Sequence, residues 1–396
     1  MHKPPNYPIA SIKTERKKSI LSGHPWIFSG ALATPPKIPD GALVSVVCGH
    51  ETIGVGYYNS RTTIAIRLLS RTEEAIDVSF FIRRFQQLQR ERAGYLPELT
   101  NAYRLVFAEA DGLPGLIVDS YNGVLVLQIH TYGMDLLRPI LLKALVEVFQ
   151  PLAVYERSDL AVRKQEGLPD QPVQLLYGLI EGDIDIVENG FRFQVDVKLG
   201  QKTGFFLDQR ENRNALRRWC VGRSVLNLCC YSGGFSVYVA GISKRVASLD
   251  SSAPAIDRCR KNMALNGFTP PDNDFIVADA FEYLTKLPKD EFDCIILDPP
   301  SFAKNRGQLN GAIRAYTAMN TKALQALPEG GILVSASCTS HVDPLTFIKI
   351  LHQSATHAGC SLKILEIKEQ PFDHPYNLAF PEGRYLKFVI ARKGLI

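Results

Sequence analysis

The sequence predicts a multi-domain α/β protein: a small N-terminal β-barrel, a central α+β domain, and a C-terminal doubly wound, mostly parallel sheet. Three observations carry this expectation. The first 70 or so residues are short β-rich runs, "ALVSVV", "TIGVGYYN" and "TTIAIRLLS", separated by Gly, Asn and Ser. From about residue 185, strand-like and helix-like stretches alternate five times. Between these regions, residues 165–180 ("QEGLPDQPVQLLYGLI") are rich in Pro, Gly and Gln and mark a boundary near 180. The expected division is therefore 1–72, 73–183 and 184–396. A chain of 396 residues also exceeds the roughly 250–300 over which one core grows.

In the central segment, "VSFFIRRFQQLQRERAGYL" (78–96) places apolar residues at helical spacing. Two strand patterns around Gly-Pro turns follow in 102–130, then a second helix pattern, "LLRPILLKALVEVFQPL". In the last segment the strand candidates are "SVLNLC", "RVASLD", "DFIVAD", "FDCIILD" and "GILVSAS". The tail adds "LKILEI" and "YLKFVIAR", close enough in sequence to form an edge hairpin. In such sheets ligands bind beyond the carboxyl ends of the strands, so strand-terminal polar residues are the ones to inspect.

Composition narrows the function classes. No stretch approaches the roughly 20 apolar residues of a membrane helix, and the basic N-terminus lacks the apolar core of a secretory signal. A cytoplasmic protein is expected. Eight cysteines, at 48, 220, 229, 230, 259, 294, 338 and 360, include no C-x-x-C pair and no nearby histidine pair, which argues against a zinc site or a disulfide framework. No metal is expected. Net charge is +5, but residues 1–71 hold nine Lys or Arg against three acids, so this segment carries +6 and the remainder −1. A positive field concentrated at one end suits a phosphate backbone, although a solvated basic face explains it equally well.

The first strand of the C-terminal segment leads through "CCYSGG" into a helix pattern. Gly233 and Gly234 let the backbone turn sharply and a ligand approach closely, or serve strand–helix packing. The pattern is neither G-x-G-x-x-G nor a P-loop. Asp250, Asp279 and Asp298 end the second, third and fourth strands. Singly, each could cap the following helix. Together, after a glycine-rich first loop, they suit an adenosine cofactor carrying a positive sulfonium and no pyrophosphate.

Several segments, in order along nearly the full chain, carry a resemblance: "HPWIFSGAL" (24–32), "EADGLPGLIVD" (109–119), "ERSD" (156–159), "GQKTGFFLDQRENR" (200–213), "LNLCCYSGGFS" (226–236), "DPPSFAKN" (298–305), "SCTS" (337–340) and "HPYNLAFPEGRYLK" (374–387). The chain resembles the bacterial group that joins an N-terminal PUA domain to a Rossmann-like class I S-adenosylmethionine-dependent methyltransferase, typified by 23S rRNA cytosine-5 methyltransferases. The resemblance implies S-adenosylmethionine as cofactor, 23S rRNA as partner and a homodimer. It implies that Asp250, with Ser251, binds the ribose, that Asp279 and Ala280 frame the adenine, and that Tyr231, Ser232, Gly233 and Gly234 lie under the methionine part. Asn227, Asp298 and the segment bearing Lys202, Thr203, Phe206, Asp208 and Arg210 complete the implied cofactor set. Position 301 is Ser where relatives often carry Lys.

The strand "GILVSAS" ends beside Cys338, with Thr339, Ser340 and His341 following. A cysteine there is either core filler or a nucleophile near solvent. Carbon 5 of a pyrimidine is a poor nucleophile, and adding a thiolate to carbon 6 activates it. That chemistry needs a cysteine beside an acid that hydrogen-bonds the pyrimidine edge, which Cys338 and Asp298 supply from the ends of two strands. His341 or Lys304 would provide the positive charge that favours a thiolate. Lys304, Arg306, Arg314 and Tyr316 would grip RNA, or form a solvated helix face. The expected activity is cytosine-C5 methylation of 23S rRNA. The alternatives are methylation of another base such as guanine without a covalent intermediate, and an RNA-binding assembly factor that binds the cofactor.

Overall fold

A computed structural model describes residues 6–303 and 305–395. The chain forms two compact units. The first comprises the described residues up to Ile186, with Val195–Leu207 and Phe372–Gly383; the second comprises Val187–Gln194, Asp208–Pro371 and the described residues from Arg384.

The first unit holds two five-stranded sheets. Strands β1 (Ile9–Ser11), β2 (Trp26–Phe28), β3 (Leu43–Cys48), β4 (Glu51–Tyr58) and β5 (Ile64–Ser70) are ordered β1-β3-β4-β5-β2. The β1–β3 pair is parallel and the others antiparallel. Register shifts at Val46/Val47, Val55/Gly56 and Ile27/Phe28 mark bulges, which bend strands and raise twist. The sheet curls into a half-barrel with β1 and β2 as its edges, instead of closing. Gly54 makes one bulge possible: its φ is 152°, and a Cβ there would meet the Ser70 carbonyl oxygen at 2.1 Å. Ile27, Val44, Val46, Ile53, Ile66 and Leu68 fill the interior.

The second sheet contains β6 (Ala102–Phe107), β7 (Leu116–Tyr121), β8 (Val124–Ile129), β9 (Ala153–Glu156) and β10 (Gln174–Gly178), in the order β10-β9-β8-β7-β6. The helices Val78–Tyr95 and Arg138–Phe149 fall where the apolar periodicity places them. Asp77 starts the first by accepting from Phe80 N at 2.9 Å. The second is the crossover that lets β8 and β9 run parallel. Phe80, Phe81, Phe85, Leu116, Val118, Leu125, Leu141 and Leu145 form the common core. Strand β10 lies inside the Pro- and Gly-rich segment read as a boundary and pairs antiparallel with β9. Its half-exposed five residues carry too little apolar signal to stand out among the turn residues.

The unit boundary falls in a two-stranded hairpin, β11 (Ile184–Glu188) and β12 (Phe191–Val195). Asn189 and Gly190 close it with φ values of 49° and 82°, the pairing that a tight hairpin turn demands.

The second unit is built on seven strands: β13 (Ser224–Leu228), β14 (Arg245–Asp250), β15 (Phe275–Val277), β16 (Cys294–Leu297), β17 (Ile332–Ser337), β18 (Ser361–Lys368) and β19 (Lys387–Gly394). Their order is β15-β14-β13-β16-β17-β19-β18. The first five are parallel and β19 is antiparallel to both neighbours. Alternate residues feed two separate cores. Leu226, Leu228, Ile295, Leu297 and Leu333 belong to one, and Val225, Cys294, Ile296, Ile332 and Val334 to the other. A strand that buries both faces this way requires cover on both sides, which defines a doubly wound sheet. The terminal strand β19 does not stay at the rim: it inserts between β17 and β18. That insertion has consequences for the site.

Candidate active site

The order of the parallel strands reverses between β13 and β16, and this switch point opens the crevice in which such sheets hold ligands. Leu228, Leu249 and Leu297 are level in register, so the residues just beyond them share one edge of the sheet.

Beyond β13 the backbone of the loop alternates into left-handed conformations at Cys229 (φ 58°), Tyr231 (47°) and Gly233 (81°). A side chain at Gly233 would be strained twice over, by its φ of 81° and by a Cβ 2.5 Å from Cys259 Sγ. Asp250 holds this loop from the next strand. Its Oδ2 accepts from Tyr231 N at 2.9 Å and its Oδ1 from Ser252 N at 3.0 Å. Buried Asn262 donates to the Ser232 carbonyl at 2.9 Å. Below, buried Asn227 donates to Ser236, which lies 2.7 Å from Ser248. Asn227 and Ser232 thus support the loop from inside, while Tyr231 is half-buried and Ser251 exposed.

The capping explanation holds for one acid only. Asp279 accepts from Glu282 N at 2.9 Å and caps the helix Ala280–Lys286, with Ala280 buried behind it. Asp250 leaves capping of the next helix to Ser252. Asp298 accepts from Gln209 Nε2 at 3.1 Å. All three acids act on one atom: burial pushes the Cys229 thiol up, and the carboxylates of Asp250, Asp298 and Asp279 carry it further, to about 12. Three negative charges converging on one loop are what a sulfonium-bearing adenosine would neutralise, so these residues fit S-adenosylmethionine.

The segment 200–213 divides between the units. In the first, the Lys202 ammonium lies 4.7 Å from the Phe206 ring centroid. Thr203 is buried there, donating to Asp119 Oδ2 at 2.6 Å and sharing a 2.9 Å hydrogen bond with Tyr121. In the second, Asp208 is buried and accepts from Tyr385 at 2.7 Å, and fully buried Arg210 pairs with Glu211 at 3.1 Å. Gln209, absent from the sequence-based set, turns its amide onto Asp298 while Asn212 donates to its Oε1 at 2.7 Å.

Beyond β17 the half-buried Cys338 follows directly on Ser337, the last strand residue. Its neighbour Thr339 is wholly buried. The Thr339 hydroxyl lies 2.9 Å from Tyr316 Oη and 3.1 Å from Ser301 Oγ. Ser301 therefore ties the loop after β16 to the turn after β17. The Tyr316 hydroxyl is pushed up to about 12, by burial first, with negative charge at Cys338 and Asp298 both contributing. Both side chains thus lie within electrostatic reach of one buried hydroxyl. Tyr316 is 1% exposed, so it supports the turn and does not face RNA, whereas Arg306 and Arg314 are exposed.

Of the two cations expected beside Cys338, His341 is exposed and Lys304 lies outside the described residues. The structure supplies another. Lys387 opens β19 as the register partner of Ser337. Its ammonium donates to the Thr339 carbonyl at 2.6 Å and to the Tyr385 carbonyl at 2.7 Å. Burial lowers Lys387 to about 8, against the raising effect of Cys338 and Asp343. The signal was present in sequence as the last residue of "HPYNLAFPEGRYLK", but its meaning depends on β19 entering beside β17.

Comparison with known proteins fits this geometry. A family model for S-adenosylmethionine-dependent methyltransferases matches residues 115–382, and one for a PUA-like domain matches residues 11–71. The chain is 42% identical over 395 residues to a ribosomal RNA large subunit methyltransferase I of Shewanella amazonensis, covering 96% of this chain and 98% of that one. It is 39% identical over 386 residues to the protein of the same name from Aeromonas hydrophila, covering 95% and 97%. A solved Streptococcus mutans chain described as a SAM-dependent methyltransferase superposes with a TM-score of 0.82 at 23% identity, covering 97% of this chain and all of that one, and so shares the fold. With a family model spanning more than half its length and relatives matched nearly end to end, the chain belongs to the S-adenosylmethionine-dependent methyltransferases that carry an N-terminal PUA-like domain.

Proposed function

We propose that this protein methylates carbon 5 of a cytosine in 23S rRNA, with Cys338 as nucleophile and Asp298 holding the pyrimidine edge. The observation that carries the reading is the turn after β17. A half-buried cysteine sits there beside a buried ammonium, directly after β17, whose neighbour β16 leads into Asp298. A core-filling cysteine needs neither neighbour. The names of the relatives supply the ribosomal substrate.

S-adenosylmethionine supplies an electrophilic methyl group carried on positive sulfur. Asp250 would hold its ribose, Asp279 and Ala280 its adenine, and the Tyr231–Gly234 loop its methionine end. Cys338 Sγ forms a bond to carbon 6 of a base drawn out of its stack. The carbon 5–carbon 6 π pair then moves onto carbon 5, which becomes nucleophilic. Asp298, oriented by Gln209, hydrogen-bonds the edge of the ring throughout. The carbon 5 pair would form the bond to the methyl group, leaving the methyl–sulfur bond pair on the cofactor's sulfur. A base then removes the carbon 5 proton, the C–H pair re-forms the carbon 5–carbon 6 double bond, and the Sγ–carbon 6 bond breaks to release the thiolate. Residues 1–72, with their excess of positive charge, would anchor RNA, and residues 73–183 would form a separate middle domain. A bacterial cytoplasmic homodimer completes the reading, and among the described residues no helix is long and apolar enough to cross a membrane.

The test is methyl transfer from labelled S-adenosylmethionine to 23S rRNA from cells lacking the protein, together with trapping on RNA containing 5-fluorocytosine. Wild type should label a cytosine at carbon 5 and form a covalent complex with the fluorinated RNA. Cys338→Ala should do neither while still binding the cofactor. Label on a guanine, or turnover by the alanine variant, would remove Cys338 from the mechanism.

A further inference from the structure

We propose that Lys387 is the positioning residue for Cys338, fixing its turn and supplying the positive charge that holds its sulfur as thiolate. The inference rests on the reading of Cys338 as nucleophile and assigns the group that activates it.

The geometry brackets the cysteine. Lys387 is paired with Ser337 through the β17–β19 ladder, on one side of Cys338. Its side chain reaches past the cysteine and donates to the carbonyl of Thr339 on the other side, at 2.6 Å. The second donation, to Tyr385 at 2.7 Å, stops the ammonium from swinging away. The start of β19 is itself held, since Gln370 Oε1 accepts from the backbone N–H groups of both Tyr385 and Leu386 at 3.3 Å.

A lysine of which 4% is exposed is costly to keep charged, and an aliphatic residue would fill the same volume without that cost. A buried ammonium beside a cysteine is the environment that lowers a thiol into the reactive range. The other charged and titratable groups near the pair come from four elements. Asp343 opens the helix after Cys338, Arg384 and its partner Glu369 lie on the approach to β19, Tyr316 lies on the helix Leu309–Ala326, and Asp298 ends the neighbouring strand. Arg384 and Glu369 offset each other through a 2.9 Å ion pair. Asp343 and Asp298 oppose a thiolate, so the ammonium of Lys387 is the buried group that favours it.

The experiment reads the sulfur directly. The full-length protein is treated with iodoacetamide from pH 6 to 10, and labelling of the Cys338 peptide is followed by mass spectrometry in wild type, Lys387→Arg and Lys387→Met. The methionine variant should move the labelling midpoint upward by about one pH unit and slow labelling at pH 7 about tenfold, while arginine stays within about threefold of wild type. An unchanged midpoint in a folded methionine variant overturns the proposal. Should that variant not fold, wild type decides alone: the labelling midpoint should lie below the ordinary thiol value of about 8.5, and a midpoint at or above it overturns the proposal. The readout is independent of turnover. Methyl transfer by Cys338→Ala would sink the nucleophile reading, whereas the alkylation profile reports whether Lys387 sets the state of this thiol.

Discussion

Two cysteine-bearing turns leave the same edge of one sheet, Cys229 after β13 and Cys338 after β17, and their surroundings are opposite. Burial raises the Cys229 thiol and three carboxylates raise it further, to about 12, so it stays protonated. Cys338 has a buried ammonium braced across its own turn. Both are half-buried cysteines at the end of a parallel strand, so neither position in the chain nor exposure separates them. Charge does. The contrast also suits a cofactor that carries a reactive methyl group: a thiolate at Cys229, in the loop that would hold the methionine end, would compete for that methyl. The acids that would favour a sulfonium also help keep the Cys229 thiol protonated.

The comparison is broken most directly by exchanging sulfur for oxygen at each position. Cys338→Ser should lower methyl transfer by about 10³-fold or more, whereas Cys229→Ser should stay within about threefold of wild type. Equal losses would mean that the two turns do not differ in chemistry.

The next largest effect is on stability. Lys387 is lowered from its ordinary 10.5 to about 8. Between those values the unfolded chain binds a proton that the folded protein has released, so stability rises with pH across that window, and the cost of the buried charge is fully present below it. Urea unfolding of wild type relative to Lys387→Met should therefore improve by about 3 kcal/mol from pH 7 to pH 10.5. A pH-independent difference would show that the ammonium is not desolvated.

The smallest effect sharpens the other turn. Asp250→Ala removes the acceptor of Tyr231 N and Ser252 N and one of the three charges around the loop. It should weaken S-adenosylmethionine binding by roughly 10–100-fold with RNA affinity unchanged, as expected for hydrogen bonds to a charged group. Equilibrium titration with cofactor and, separately, with RNA measures both. An unchanged cofactor dissociation constant would contradict the ribose role.

Much of this architecture was legible in the residues. The two apolar periods placed the helices Val78–Tyr95 and Arg138–Phe149 and the five parallel strands, because a strand buried on both faces and a helix buried on one leave different repeats. Asp250, Asp298 and Cys338 were legible as strand-end residues because the apolar run stops at each of them. Strand β10 was not, since its half-exposed residues lie among Pro, Gly and Gln. Gln209 and Asn212 gave no signal, because a buried amide is recognisable only by what it bonds. Tyr316 was read toward RNA and is instead buried under the Cys338 turn.

The sequence by itself determined which residues stand at the ends of the strands, because the hydrophobic period of a strand is local and its termination is visible in the chain. Only the tertiary structure decided which cysteine has a cation beside it. Lys387 lies 49 positions after Cys338, and what joins them is the insertion of β19, antiparallel, between β17 and β18. An antiparallel partner brings its first residue to the last residue of its neighbour, so the charge arrives through a ladder of backbone hydrogen bonds that no local pattern encodes.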